Sequence, residues 1–461
     1  MEAPAKLQQN ALGLTESSIM GIAGTAPVYS IAATTATLIA AVGVLSPASL
    51  LYCGLIMFGV TFAFMYLNRL NANAGASYAW VASIFSPTLG FLCGWTVLVS
   101  SAVFMVSGTI PAAVATLQLF APDRVNDIGV VALVAAGWLA IVSAILIKGI
   151  KLTSYVQVAL TAVEVVILLA LVAAALVEYA HHPVRPISLA WFSPAGLTPH
   201  LFAAGALAAL FFYWGWDVTV NLNEETRDGA RVAGLGSLVA MLVLLALFVT
   251  FAALTLMLLS DQEIRQSGAN IVFAVAEKLF PRPWSYMAVL AVMLSTIGTL
   301  ETSILQFTRT MFAQGRDGSL HPRYARLHPS WNTPWLATAA IAVAGLMMLL
   351  AASRYPSISQ VIQDSVNAVG IQAAFYYGLA CLACAWHVWR SGKRDATALL
   401  LLIFWPLASA AFLGFIAVYG IPNFDTTANV VGIGGIAIGL VPMWLNRGRA
   451  KYGAGRVERA L

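Results

Sequence analysis

Three acidic side chains, Glu164, Asp217 and Glu301, stand inside otherwise apolar stretches of this chain. In a bilayer an ionised carboxylate costs several kcal/mol unless it is paired, hydrated or protonated, so such residues mark ion or substrate paths. No Lys or Arg lies deep in an apolar run to pair with them. A proton, a metal cation or an ammonium group would each suit three such acids. The structural alternative is capping by hydroxyls, for which Thr161, Ser295, Thr296 and Thr299 are near in sequence. Asp217 closes an aromatic run, Phe212-Tyr213-Trp214-Gly215-Trp216-Asp217. Its rings could cover an apolar side chain or hold an ammonium by cation–π contact.

The elements that position these residues follow from composition. The 461 residues are 60% hydrophobic and 9% charged, with a mean hydropathy of +0.84, against roughly 25% charged residues in a soluble domain. A β-barrel would give a far weaker signal, so the expected class is an all-α integral membrane protein. No cleavable signal peptide is expected at the N-terminus. Apolar runs of about 20 residues predict twelve spans, near 14–42, 47–68, 87–120, 127–147, 152–179, 197–222, 232–259, 284–313, 333–352, 357–389, 396–420 and 427–446. With both termini inside, only Arg124, Arg185, Arg265, Lys278, Arg282 and Arg354 of the 24 basic residues fall outside. That bias places the chain in the cytoplasmic membrane with both ends cytoplasmic. It also accounts for the net charge of +5 without a nucleic-acid partner.

Spans 1 and 6 are interrupted in matching ways. The first carries Gly21, Gly24, Thr25, Ala26 and Pro27 near its middle, and the sixth carries Gly215 within its aromatic run. A break exposes backbone groups that lipid cannot satisfy, so it must face protein or ligand. Each broken span opens a block of five, which predicts inverted repeats over 14–179 and 197–389, a peripheral pair over 396–446, and one polytopic unit over 1–461. The expected small-molecule site comprises Ala23, Gly24, Thr25, Ala26, Tyr213, Trp214, Gly215, Trp216 and Asp217. Amides at the first break would suit an anion, and glycine there permits close backbone approach. Glu164 and Glu301 are the candidate ion-coupling pair, expected to share a polar cavity, with protons as the coupling ion.

Outside that centre, Glu224, Glu225, Arg227, Asp228 and Arg231 read as an inner ion-pair cluster that could form a gate. Residues 76–85 are expected to form a helix along the inner membrane surface, and 269–280 an outer helical lid. Cys53, Cys93, Cys381 and Cys384 read as small apolar packing residues rather than disulfide or metal ligands. No cofactor, metal site or catalytic constellation is expected, and nothing here requires more than one copy of the chain.

Several segments resemble the amino acid–polyamine–organocation permease superfamily. Gly21-Ile22-Ala23-Gly24-Thr25-Ala26-Pro27 is similar to its unwound segment in span 1. Asn73-Ala74-Gly75-Ala76-Ser77-Tyr78-Ala79-Trp80-Val81, then Phe91-Leu92-Cys93-Gly94-Trp95, resembles its signature after span 2. The run ending in Asp217 with Asn223-Glu224-Glu225-Thr226-Arg227-Asp228, and Arg309-Thr310-Met311-Phe312-Ala313-Gln314-Gly315-Arg316-Asp317-Gly318, resemble segments of spans 6 and 8. The resemblance implies a leucine-transporter-like 5+5 fold and alternating access around a site between spans 1, 3, 6 and 8. In amino-acid members, span 1 amides bind the substrate carboxylate and span 6 carbonyls hold the amine. Glu164 falls where some relatives place a lysine whose charge stands in for a sodium ion. The implied activity is secondary import of amino acids or related amines; a polyamine or organic-cation carrier, and a sensor without net flux, are the alternatives.

Overall fold

Long apolar runs cannot leave N–H and C=O groups bare in lipid, so they close those bonds internally as helices. The computed structural model, which describes residues 6–179, 183–355 and 357–446, is helical accordingly. Among the described residues, extended backbone pairs only at an isolated parallel bridge between Leu12 and Thr226. Among the described residues ten helical stretches are long and apolar enough to cross a membrane, and Pro199–Phe212 is a shorter apolar helix. The first stretch, Leu14–Leu70, is subdivided into α1 (Leu14–Gly24), α2 (Pro27–Val42) and α3 (Ser46–Leu70).

Next in order come α4 (Ser77–Ile84), α5 (Pro87–Phe120), α6 (Ile128–Ile147), α7 (Ile150–Tyr179), α8 (Pro199–Phe212) and α9 (Val218–Asn221). They are followed by α10 (Gly229–Leu258), α11 (Asp261–Ser267), α12 (Ile271–Leu279), α13 (Met287–Arg316), α14 (Trp335–Ala352) and α15 (Ile358–Arg390). Starts are set by local chemistry: Ser86, Asp127, Thr198 and Ser357 each accept a first-turn amide, which supplies the bond that a helix N-terminus lacks. The core is built on α5 and α13, which pack along each other. In the most apolar windows of these two, 78% of residues are buried, against 28% in Ala396–Asn423 and 22% in Thr426–Leu445. The last two stretches are therefore peripheral. We call the end of the bundle where α1 starts basal, and the opposite end upper.

Two expected surface helices have different fates. The one over 76–85 is α4, but Ser77, Tyr78, Ala79, Trp80 and Val81 are buried, packed against α5 and α15. It docks because α5 presents Gly90 and Gly94: a Cβ at either would collide with Ala82 or Tyr78. The expected lid is α12, preceded by the short α11, and it lies on α2, α7 and α13.

Candidate functional site

The first break falls between Gly24, where α1 ends, and Pro27, where α2 begins. Proline suits that first helical position because it has no N–H to leave unsatisfied. The strained residue is Ala26, with φ 49° and ψ 66°, a left-handed conformation that costs a residue with a Cβ roughly 1–2 kcal/mol. The second break runs from Tyr213 to Asp217, with Gly215 at φ 101°. The two breaks touch. A Cβ on Gly24 would strike the carbonyl of Gly215, and a Cβ on Gly215 would strike the carbonyl of Gly24. Gly21 serves a different contact. A Cβ there would lie 2.7 Å from Ala240 and 3.0 Å from Thr219, so its smallness lets α1 pack on α10.

The amides of the first break are all engaged. Thr25 N donates to Ile22 O at 3.2 Å and Ala26 N to Ala23 O at 3.0 Å. At the start of α2, Val28 N donates to Glu164 Oε1 at 3.1 Å and Tyr29 N to Ser295 Oγ at 3.3 Å. Thr299 Oγ1 donates to the carbonyl of Ala23, and Ser30 Oγ to that of Thr25 at 2.7 Å. The acceptor at this helix N-terminus is thus the protein's own Glu164 carboxyl group, at a place where dipole and N–H groups favour negative charge. Glu164 reaches it from the buried stripe Gln157, Thr161, Glu164 of α7, one helical face by spacing.

The second break is organised around Asp217, which is 2% exposed. Its Oδ1 accepts from the Tyr377 hydroxyl at 2.8 Å and its Oδ2 from Gln306 Nε2 at 2.7 Å. The Tyr377 hydroxyl also accepts from Gly215 N at 3.3 Å, so one phenol ties the acid to the glycine. Trp216 stacks on Tyr377 at 5.7 Å between centroids. Trp214 donates through Nε1 to the Tyr376 hydroxyl at 3.0 Å and lies against Phe104. Tyr213 donates to the carbonyl of Leu50 at 2.8 Å, anchoring the break to α3. Phe212 packs on Phe248 of α10.

Sequence reasoning missed Tyr376, Tyr377 and Gln306. Paired tyrosines in an apolar span, and a glutamine five residues past Glu301, were the available signals. Glu301 is buried, and its Oε1 has no hydrogen-bond partner; Glu164 instead faces Val28 and Ser295. The expected pair is therefore split between a capped acid and an uncapped one. Among the described residues no group of His, Cys, Asp and Glu is placed to hold a metal ion.

A second constellation lies at the basal end. Arg309 and Glu225, 2% and 1% exposed, form a two-pronged ion pair with both N–O distances 2.8 Å. Arg316 forks onto Glu224 at 2.8 and 2.9 Å. Glu224 Oε1 also accepts from Ala74 N, and Asn221 Nδ2 donates to Ala74 O. Ala11 and Leu12 donate their amides to Glu225 O, and Arg227 N donates to Leu12 O. Of the acids of the expected inner cluster, Glu224 and Glu225 thus find their partners on α13. Arg227 instead donates back to Asn10 O at 3.4 Å.

Known proteins are similar to this chain in sequence. The chain is 25% identical to the serine/threonine exchanger SteT of Bacillus subtilis over 289 residues, 60% of this chain and 62% of SteT. It is 27% identical to the low-affinity putrescine importer PlaP of Escherichia coli over 391 residues, 81% of this chain and 80% of PlaP. Against the b(0,+)-type amino acid transporter 1 of Mus musculus it is 22% identical over 348 residues, 74% of this chain and 68% of that protein. The profile of the amino acid permease family matches residues 10–441, and the protein belongs to that family.

Proposed function

We propose that this protein is a secondary transporter that imports amino acids or related amines across the cytoplasmic membrane by alternating access. The observation that carries this reading is the contact between two broken helices at Gly24 and Gly215, each break ending on a buried acid, Glu164 at one and Asp217 at the other. Broken helices whose half-ends meet are a common way to build a transport site inside a bilayer. Dividing Leu14–Leu70 into two crossings, and counting α8 with α9 as one, gives twelve spans. The inverted repeats are then α1–α7 and α8–α15, and the basal end is cytoplasmic. In this reading spans 1, 2, 6 and 7 rock against 3, 4, 8 and 9.

Glu164 and Glu301 are the proposed proton carriers. A proton on Glu164 removes the charge at the start of α2 and weakens the tie between α2 and α7, which links protonation to movement of span 1. In proteoliposomes with an imposed pH gradient, Glu164→Gln is expected to abolish uphill uptake of labelled serine or putrescine and to spare exchange. Undiminished pH-driven accumulation by that variant would overturn the coupling.

Of the two substrate classes, the structure favours amines. The amides that would receive a substrate carboxylate are taken by Glu164, Ser295 and the chain itself. Asp217 is met by neutral donors alone, Tyr377 and Gln306, inside an aromatic wall. An ammonium group completes that arrangement; a second carboxylate does not. Stabilisation of the purified protein by putrescine and not by serine supports this, since a ligand raises the melting temperature by mass action; the reverse result overturns it.

A further inference from the structure

A cavity of about 470 Å³ lies between α2, α8, the start of α15 and the turn joining the two peripheral helices. Its volume falls within the range of small-molecule sites. His200, Gln363, Asn367 and Asp425 supply polar groups, and Phe211 and Phe424 supply apolar surface. Among the described residues Asp425 is in no ion pair, and it makes no side-chain hydrogen bond as a helix cap. Behind the wall, next to Gln363, stands Asp364. It is 6% exposed, and its Oδ2 has no hydrogen-bond partner. Among the described residues no Lys or Arg lines the chamber. At its inner side, Phe211 meets Tyr29 edge to face at 6.0 Å, and Tyr29 is the second α2 residue whose amide is capped from outside the helix. A residue of the chamber wall therefore touches the first turn of α2, just past the first break.

A chamber with one carboxylate in its wall, a second buried behind it and no Lys or Arg concentrates cations and repels anions, because low-dielectric walls focus the field. A zwitterion would bring its own carboxylate against the same acids. The absence of any clustered metal-ligating set among the described residues argues for an organic cation over a metal ion. We propose that this chamber is a first binding site for a protonated alkylamine, with Asp425, backed by Asp364, drawing the ammonium and Phe211 and Phe424 covering the carbon chain, before the ligand passes Tyr29 toward Asp217. The proposal rests on the amine reading above, and it assigns selection of charge to a place outside the broken helices.

The test is the concentration dependence of labelled putrescine uptake by the full chain in proteoliposomes. Asp425→Asn is expected to raise KM about tenfold while lowering Vmax far less, as loss of a focused field does. Asp425→Lys should raise KM further, and Asp364→Asn should raise it less than Asp425→Asn. High salt should shrink the difference between wild type and Asp425→Asn. Uptake of putrescine with KM unchanged in both Asp425 variants overturns the chamber and leaves the amine carrier standing. A fall in Vmax without a change in KM also overturns it, because that marks a structural role. Uptake of serine and not putrescine by the wild type overturns the amine reading, and the chamber's ligand with it.

Discussion

The two ends of the bundle are held by different means. At the basal end, Arg309–Glu225 is buried on both sides and Arg316–Glu224 is largely covered, while the segment before α1 is stitched to the loop after α9. At the upper end the ion pairs Lys278–Glu263, Arg282–Glu277 and Arg185–Asp261 join α11, α12 and the loops beside them, each with at least one partner more than a third exposed, beside a chamber of about 470 Å³. Removing one partner of a buried pair costs about 3–5 kcal/mol, because the other charge is left in a dry site. Exposed pairs contribute about 0.2–1 kcal/mol. The difference teaches which end is shut in this conformation and what must give way for the other to form: α9 and α13 separate only if water reaches Arg309 and Glu225.

The largest expected effect follows from that buried pair. Arg309→Ala should destabilise the closed basal end by about 3–5 kcal/mol, lowering the melting temperature in detergent. It should also expose a cysteine placed at the buried Thr310 to a membrane-impermeant thiol reagent added from the basal side. The double change Glu225→Gln with Arg309→Met should recover most of the stability, since neither charge is then left alone. Wild-type melting and labelling in Arg309→Ala would remove the lock from the account.

Next in size is the crossing of the two breaks, which both ends share. Gly215→Ala places a Cβ against the carbonyl of Gly24 at a backbone angle that L-residues avoid, with an expected cost of about 1–3 kcal/mol and loss of uptake. Gly24→Ala meets the Gly215 carbonyl without the backbone penalty, so it should be milder. Gly137→Ala, with nothing within 4 Å of its Cβ, is the control and should transport normally. Equal behaviour of all three would show that the breaks do not depend on their contact.

Much of this arrangement could be read from residue order. The apolar helices, the two breaks and the burial of Glu164, Asp217 and Glu301 follow from hydropathy and from where Gly and Pro interrupt it. What could not be read was who meets whom. The amides at the first break were expected to be open to a ligand, yet Glu164 lies 136 positions away in sequence and closes one of them. Tyr377 is 160 positions from Asp217, and no local pattern distinguishes it from an ordinary packing aromatic. Helix α4 was expected along the membrane surface; Tyr78, Ala79, Trp80 and Val81 are instead buried, and Gly90 and Gly94 on its neighbour give the room for it to dock. Local chemistry sets the elements, and long-range packing sets the site.

A smaller effect separates the two basal pairs. Arg316 and Glu224 retain 26% and 22% side-chain exposure, so Arg316→Gln should cost about 1 kcal/mol or less. Raising salt from 0.1 to 1 M shortens the screening length from about 10 to 3 Å and should shrink that cost. It should leave the cost of Arg309→Ala nearly unchanged. A salt response of equal size in both variants would mean that water already reaches the Arg309 pair.

The smallest effect lies at the upper end and depends on pH. Hydrogen bonds from Lys278, and from the Ser260 amide and hydroxyl, pull the Glu263 carboxyl down from 4.5 to about 2. A depressed carboxyl contributes stability that is full above its unfolded value and is lost as pH falls through its folded one. Glu263→Gln should therefore differ most from wild type near pH 6, by less than half that difference at pH 3, and hardly at all below pH 2. With 37% of its side chain exposed, solvent screening keeps the whole effect within about 0.2–1 kcal/mol, visible as a small shift in melting temperature. An undiminished difference at pH 3 would mean that the charge of Glu263 is not what Glu263→Gln disturbs, since the Ser260 hydrogen bonds can pass to a neutral amide oxygen. The α11–α12 lid would then be held by packing on α2, α7 and α13, and the upper end would owe as little to charge as its open chamber suggests.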